Sequence, residues 1–130
     1  MKNSNVLKAI LFVSGVIIIG IGAAILFTPV AFYAKDGIEL GGNISLLNEI
    51  RASAGGLLAM GIWVMLGIFV RKLTFTSTLI SIVIYLSYGL SRVLSMIIDG
   101  MPTGELVGAA AIEIIIGLVC VFALLKYREK

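Results

Sequence analysis

Long apolar runs alternate with short polar patches along this chain, and the runs cover 9–28, 52–70, 73–98 and 106–125. A helix crosses a hydrocarbon core in about 20 residues, so this pattern predicts four membrane spans. Within the third run, Thr74, Thr78, Ser81, Tyr85, Tyr88, Arg92, Ser95 and Asp99 follow one another at steps of four and three. At about 100° per residue these side chains fall within roughly 100° of arc. Polar and ionic groups facing hydrocarbon cost free energy, so the stripe must face protein or water. It predicts the interior of an all-α, integral membrane, antiparallel four-helix bundle, with Arg92 as its costliest member.

The connections set the topology. Spans two and three are separated by an Arg71-Lys72 turn, and spans three and four by a segment carrying Gly100, Pro102 and Gly104. Such short links force antiparallel neighbours. The first connection, 29–48, is longer and reads as a loop. It opens with interface-compatible Val30, Phe32 and Tyr33, and Asn43 or Ser45 starts the next helix. In so small a chain such a loop serves as a lid, an oligomer contact or a plain linker. No internal repeat or second domain is visible, so 1–130 reads as one domain. Gly15 and Gly22, then Ala52, Gly55, Gly56 and Ala59, then Ala109, Ala110 and Gly117 are the expected sites of close helix approach.

Composition agrees with a membrane setting: 60% of positions are hydrophobic and 13% charged. A soluble bundle would need polar outer faces that spans one, two and four lack. Lys2, Lys8, Arg71, Lys72, Lys126, Arg128 and Lys130 all fall at ends that four crossings place on one side. By the bias of Lys and Arg toward the cytoplasm, both termini are expected there, in a bacterial cytoplasmic membrane. The formal charge of +3 is then a topology signal rather than a nucleic-acid footprint. The first run follows Lys2 and Lys8 as a signal peptide would, but it is longer than such a core and is expected to be retained. Cys120 is the single cysteine and there is no His, so neither disulfide chemistry nor a typical metal site is expected. No phosphate-binding glycine loop or GxSxG nucleophile motif is present, and no cofactor or catalytic residue is assigned.

The ionisable residues near the non-cytoplasmic span ends carry the remaining chemistry: Glu49, Arg51, Arg92, Asp99 and Glu113. At 1.5 Å per residue, Arg92 lies roughly 9 Å below Ile98 and Glu113 roughly 10 Å below Leu106. Equal depth and opposite charge make them natural partners. The acids outnumber the bases by one, so one carboxylate is expected to be protonated, solvated or paired with a cation, and Glu113 is the deepest. Three readings are open at this point: a network fixing helix register, a polar ligand pocket, or proton coupling through Glu113. The hydroxyls of Tyr85 and Tyr88 fit either a structural network or a ligand contact.

Asn48-Glu49-Ile50-Arg51 followed by Gly55-Gly56, then Ser91-Arg92, Asp99-Gly100-Met101-Pro102 and Glu113, resembles the pattern of an uncharacterised bacterial four-helix membrane family. That family is domain of unknown function 4345, itself loosely similar to the DoxX-like proteins. The resemblance implies the fold and a charged cluster, and no activity.

The expected function is a non-enzymatic membrane module. It would bind a lipid-like or small polar ligand in a cavity beside Tyr85, Tyr88, Arg92 and Glu113, or assist a larger complex. Glu49, Arg51, Ser95 and Asp99 complete the candidate ligand or ion-pair set. The alternatives are a proton-coupled transporter subunit acting as an oligomer through Glu113, and a membrane enzyme using Tyr, Asp or Glu acid-base groups. Expected partners are the bilayer, such a ligand, and a second copy or another membrane protein.

Overall fold

A computed structural model describes residues 1–129. Its elements, in chain order, are α1 (Asn5–Phe27), the short α2 (Pro29–Ala34), α3 (Ile44–Phe69), a 3-10 turn (Arg71–Leu73), α4 (Thr74–Asp99) and α5 (Gly104–Tyr127). The four long helices are each long and apolar enough to cross a membrane. Their outward faces carry large apolar side chains such as Phe12, Ile115, Leu118 and Phe122, each more than half exposed. Apolar surface on that scale suits lipid rather than water.

Local chemistry explains the helix starts. Ser4 accepts from the Leu7 N–H at the head of α1, and Asn43 accepts from the Leu46 N–H at 3.1 Å at the head of α3. Both are favoured N-cap types. The expected first loop differs in one way, since Pro29, pre-set for a first helical turn, opens α2, whereas the start of α3 at the Asn43 cap, well before the apolar run at Ala52, is as expected. Apolarity marks the part of a helix suited to lipid, whereas the cap marks where the helix begins.

The long helices associate as two close pairs, α1 with α3 and α4 with α5. Gly22 makes the first possible, because a Cβ there would lie 2.9 Å from the Leu58 backbone nitrogen and 3.1 Å from its Cα. Gly61 sets the next crossing point, where a Cβ would lie 3.0 Å from the Ile19 nitrogen. In the second pair Gly89 faces the Ile114 nitrogen and the Ala110 carbonyl, and Gly117 faces the Leu86 nitrogen. Such approach gives the dispersion contacts on which association in lipid depends.

The small residues expected at the interface of span two are not the ones used. Gly55 and Gly56 meet nothing within 4 Å, and Ala52 and Ala59 are exposed. The face of α3 turned to α1 instead runs through buried Ala54, Gly61 and Val64 with half-buried Leu58, so its neighbours Gly55 and Gly56 are rotated away.

The two pairs are joined at the end that carries both termini. Thr74 Oγ1 donates to the Gly67 carbonyl at 2.7 Å, and Ser77 Oγ to the Trp63 carbonyl at 3.0 Å. Further in, the Tyr85 hydroxyl donates to the Ser14 carbonyl at 2.7 Å, while Ser14 Oγ lies 3.5 Å from Cys120 Sγ. Leu7, Leu11, Ile18, Val64 and Ala123 pack around these groups as the apolar core.

Candidate functional site

The polar stripe of α4 divides at Tyr85. Thr74, Thr78 and Ser81 are buried, and the last two return their hydroxyls to the carbonyls of Thr74 and Ser77. Tyr85, 3% exposed, spends its hydroxyl on Ser14 across the bundle. This half of the stripe closes the structure. Beyond Tyr85 the two pairs diverge, and the gap between them is a cavity of about 950 Å³.

Isoleucines 17, 18, 21 and 25 of α1 form one apolar wall, with Ile50 and Leu57 of α3 beside them. The opposite wall is mixed: Tyr88, Ser91, Arg92 and Ser95 of α4 and Glu113 of α5 form a polar cluster on it, set among Ile84, Met96, Leu106 and Ile112. Arg92 Nε donates to Glu113 Oε1 at 2.5 Å, so the pairing anticipated from depth is made between adjacent helices. Equal rise along two antiparallel helices is what levels the two groups. The side chains are 34% and 16% exposed, so the pair lines the cavity instead of being sealed in a core.

The connection between α1 and α3 forms the roof. Phe32, Tyr33, Lys35, Asp36 and Ile38 all border the cavity. Asp36 is only 6% exposed and takes the Lys35 ammonium at 3.1 Å, while that ammonium also lies 4.2 Å from the Phe32 ring centre. Thr103, in the link between α4 and α5, donates Oγ1 to the Asp36 carbonyl at 3.4 Å. The roof thus reaches from one helical pair to the other. Gly37 makes the bend, since its φ of +78° is a conformation that side chains disfavour. Burial pushes the Tyr33 phenol above its ordinary range, and Tyr88 and Asp36 act in the same direction while Arg92 opposes them.

Of the residues singled out from sequence, Tyr85, Tyr88, Arg92, Ser95 and Glu113 border the cavity. Glu49, Arg51 and Asp99 do not. Glu49 is exposed, and Arg51 donates Nη1 to the Leu26 carbonyl in the last turn of α1, where a cation complements the unpaired carbonyls. Asp99 is exposed and accepts from Ser95 Oγ at 2.9 Å. The expected cluster of five ionisable groups is therefore one pair, with Arg51 and Asp99 satisfied locally. Sequence reasoning missed Tyr33, Lys35, Asp36 and Glu105 as lining residues. The signals were that the 29–48 connection reads as a candidate lid and that Tyr33 sits in its interface-compatible stretch. Among the described residues, no group of three His, Cys, Asp or Glu side chains is placed to hold a metal ion.

The match that decides the family covers residues 6–124, nearly the whole chain. The chain belongs to the DUF4345 family, a domain of unknown function. No curated protein and no solved structure matches this DUF4345 chain. The family match spans all four long helices, the roof and the Arg92–Glu113 pair, so the cavity lies within the DUF4345 domain itself.

Proposed function

We propose that this chain is a non-enzymatic, multi-pass module of the bacterial cytoplasmic membrane that takes a lipid-like or small polar ligand into the cavity between its helical pairs. The observation that carries this reading is one cavity of about 950 Å³ bordered by an isoleucine wall on one side and Arg92, Glu113 and Tyr88 on the other. Its volume is at the upper end of the roughly 300–1,000 Å³ typical of small-molecule sites. An amphipath suits such a division, with its chain along the isoleucines and its head at the polar cluster. The charge bias of the loops supports a reading in which both termini lie in the cytoplasm and the cavity in the outer leaflet.

Proton-coupled transport through Glu113 is less well supported, because the carboxylate is engaged by Arg92 and proton exchange would have to break that pair. The ligand reading is tested by native mass spectrometry of the full chain released gently from membranes. A bound small molecule or lipid should accompany the wild type and be lost from Ile21→Trp, which fills the cavity beside the isoleucine wall. Equal retention by both proteins would place any bound lipid on the outer surface and remove this reading.

A further inference from the structure

The open hydrogen-bonding positions of the cavity are not balanced. Arg92 uses Nε on Glu113, and among the described residues no acceptor engages its two Nη groups. The hydroxyls of Tyr33 and Tyr88 likewise have no partner among the described residues, and both side chains border the same cavity. Tyr33 hangs from the roof within electrostatic reach of Tyr88 and Arg92. Against these donors, the second oxygen of Glu113 is the matching acceptor left open beside the guanidinium. Asp36 is occupied by Lys35, and Glu105 is exposed at the mouth. Beside the fork, then, one cation and one anion cancel, and the N–H groups of the two Nη atoms, which can only donate, outnumber the one free carboxylate oxygen, which can only accept.

We propose that this fork and the two phenols select the head of a single-chain anionic amphipath, a carboxylate or phosphate, whose hydrocarbon chain lies along Ile17, Ile21 and Ile25. This rests on the ligand-module reading above and names its ligand class. A planar guanidinium edge presents two parallel N–H donors that match two oxygens of a carboxylate or phosphate. The phenol O–H groups donate a third contact without adding charge. The paired Glu113 holds the guanidinium plane in position while its Nη edge faces the cavity.

The test uses the full chain, delipidated in a bulky sterol-based detergent, with dodecanoate, dodecyl phosphate and dodecanol as probes followed by native mass spectrometry and thermal shift. Dodecanoate and dodecyl phosphate should bind the wild type about tenfold more tightly than dodecanol, a difference of about 1.4 kcal/mol. Arg92→Lys keeps the charge facing Glu113 but loses the fork, and should erase that preference while leaving dodecanol unchanged. Tyr88→Phe, at a half-exposed position tolerant of change, should weaken only the two anions, by a few-fold.

Dodecanol binding as tightly as the anions, or anion binding indifferent to both substitutions, would overturn the head-group assignment while leaving the cavity reading in place. Acetate or inorganic phosphate binding as well as the chain-bearing anions would make the ligand a soluble anion and overturn the amphipath. Failure of all the probes, together with equal lipid retention by wild type and Ile21→Trp, would remove the ligand-module reading itself.

Discussion

Arg92 and Glu113 meet at 2.5 Å from two different helices, yet the pair uses one nitrogen and one oxygen and leaves the rest of both groups turned to a cavity. An ion pair buried on all sides gains its value from mutual compensation, and removing one partner strands the other. Here the cavity side relieves part of that penalty. Arg92→Met and Glu113→Leu should each cost about 2 to 3 kcal/mol, below the roughly 3 to 5 of a fully buried pair. The double substitution should recover most of the loss. Unfolding in detergent followed by circular dichroism checks this, and simple additivity of the two losses would mean that the residues act separately.

A glycine at a helix contact and a glycine turned away from it should respond in opposite ways to the same methyl group. At Gly22, the partner position on α1, a Cβ would press on the Leu58 backbone, which cannot swing aside as a side chain can. Gly22→Ala should destabilise by about 1 to 3 kcal/mol through overpacking. Gly56→Ala meets nothing within 4 Å and should stabilise by roughly 0.5 to 1 kcal/mol, the usual gain from replacing glycine within a helix. Paired thermal melts decide the matter.

Tyr33 offers a pH signature for the roof. Its phenol is raised above the ordinary 10.0, so between 10.0 and its folded-state value the folded chain keeps a proton that the unfolded chain releases. Stability therefore falls as pH rises through that window, and its contribution is fully present below it. Tyr33→Phe should flatten the alkaline loss relative to wild type while leaving neutral-pH melting little changed. Melting curves from neutral pH to above pH 10 would show an unaltered slope if Tyr33 were solvated.

The proposed topology can be read from single cysteines at Lys2, Lys35 and Lys72 in a Cys120→Ser background. A membrane-impermeant thiol reagent added outside should modify the Lys35 position alone, and the other two should react only after permeabilisation. Modification of the Lys35 and Lys72 positions from the same side would exclude this arrangement.

Tyr85→Phe isolates the strut that separates the closed half from the cavity. The substitution deletes the 2.7 Å bond to the Ser14 carbonyl, which keeps its own helical environment. A loss of about 0.5 to 1.5 kcal/mol is expected, the net value of one hydrogen bond. A thermal shift measurement suffices, and no change at all would mean that the strut carries no net stability.

Periodicity and length were enough to determine the four long helices, the α4 stripe and the equal depth of Arg92 and Glu113. Each follows from the fixed rise and rotation of a helix and from what hydrocarbon tolerates. That geometry does not fix how a helix is turned toward its neighbour, so only the tertiary structure chose Gly61 over Gly55 and Gly56 as the approach point on α3. The same applies to Arg51, whose partner carbonyl at Leu26 lies in a helix far along the chain. Asp36 in the roof and Thr103 in the opposite link are brought together only because two helical pairs joined at one end diverge at the other. The polar stripe showed that α4 must face something other than lipid. Whether it met packed side chains or open space was decided residue by residue by close packing below Tyr85 and divergence above it, a property of how the helices cross rather than of any one helix.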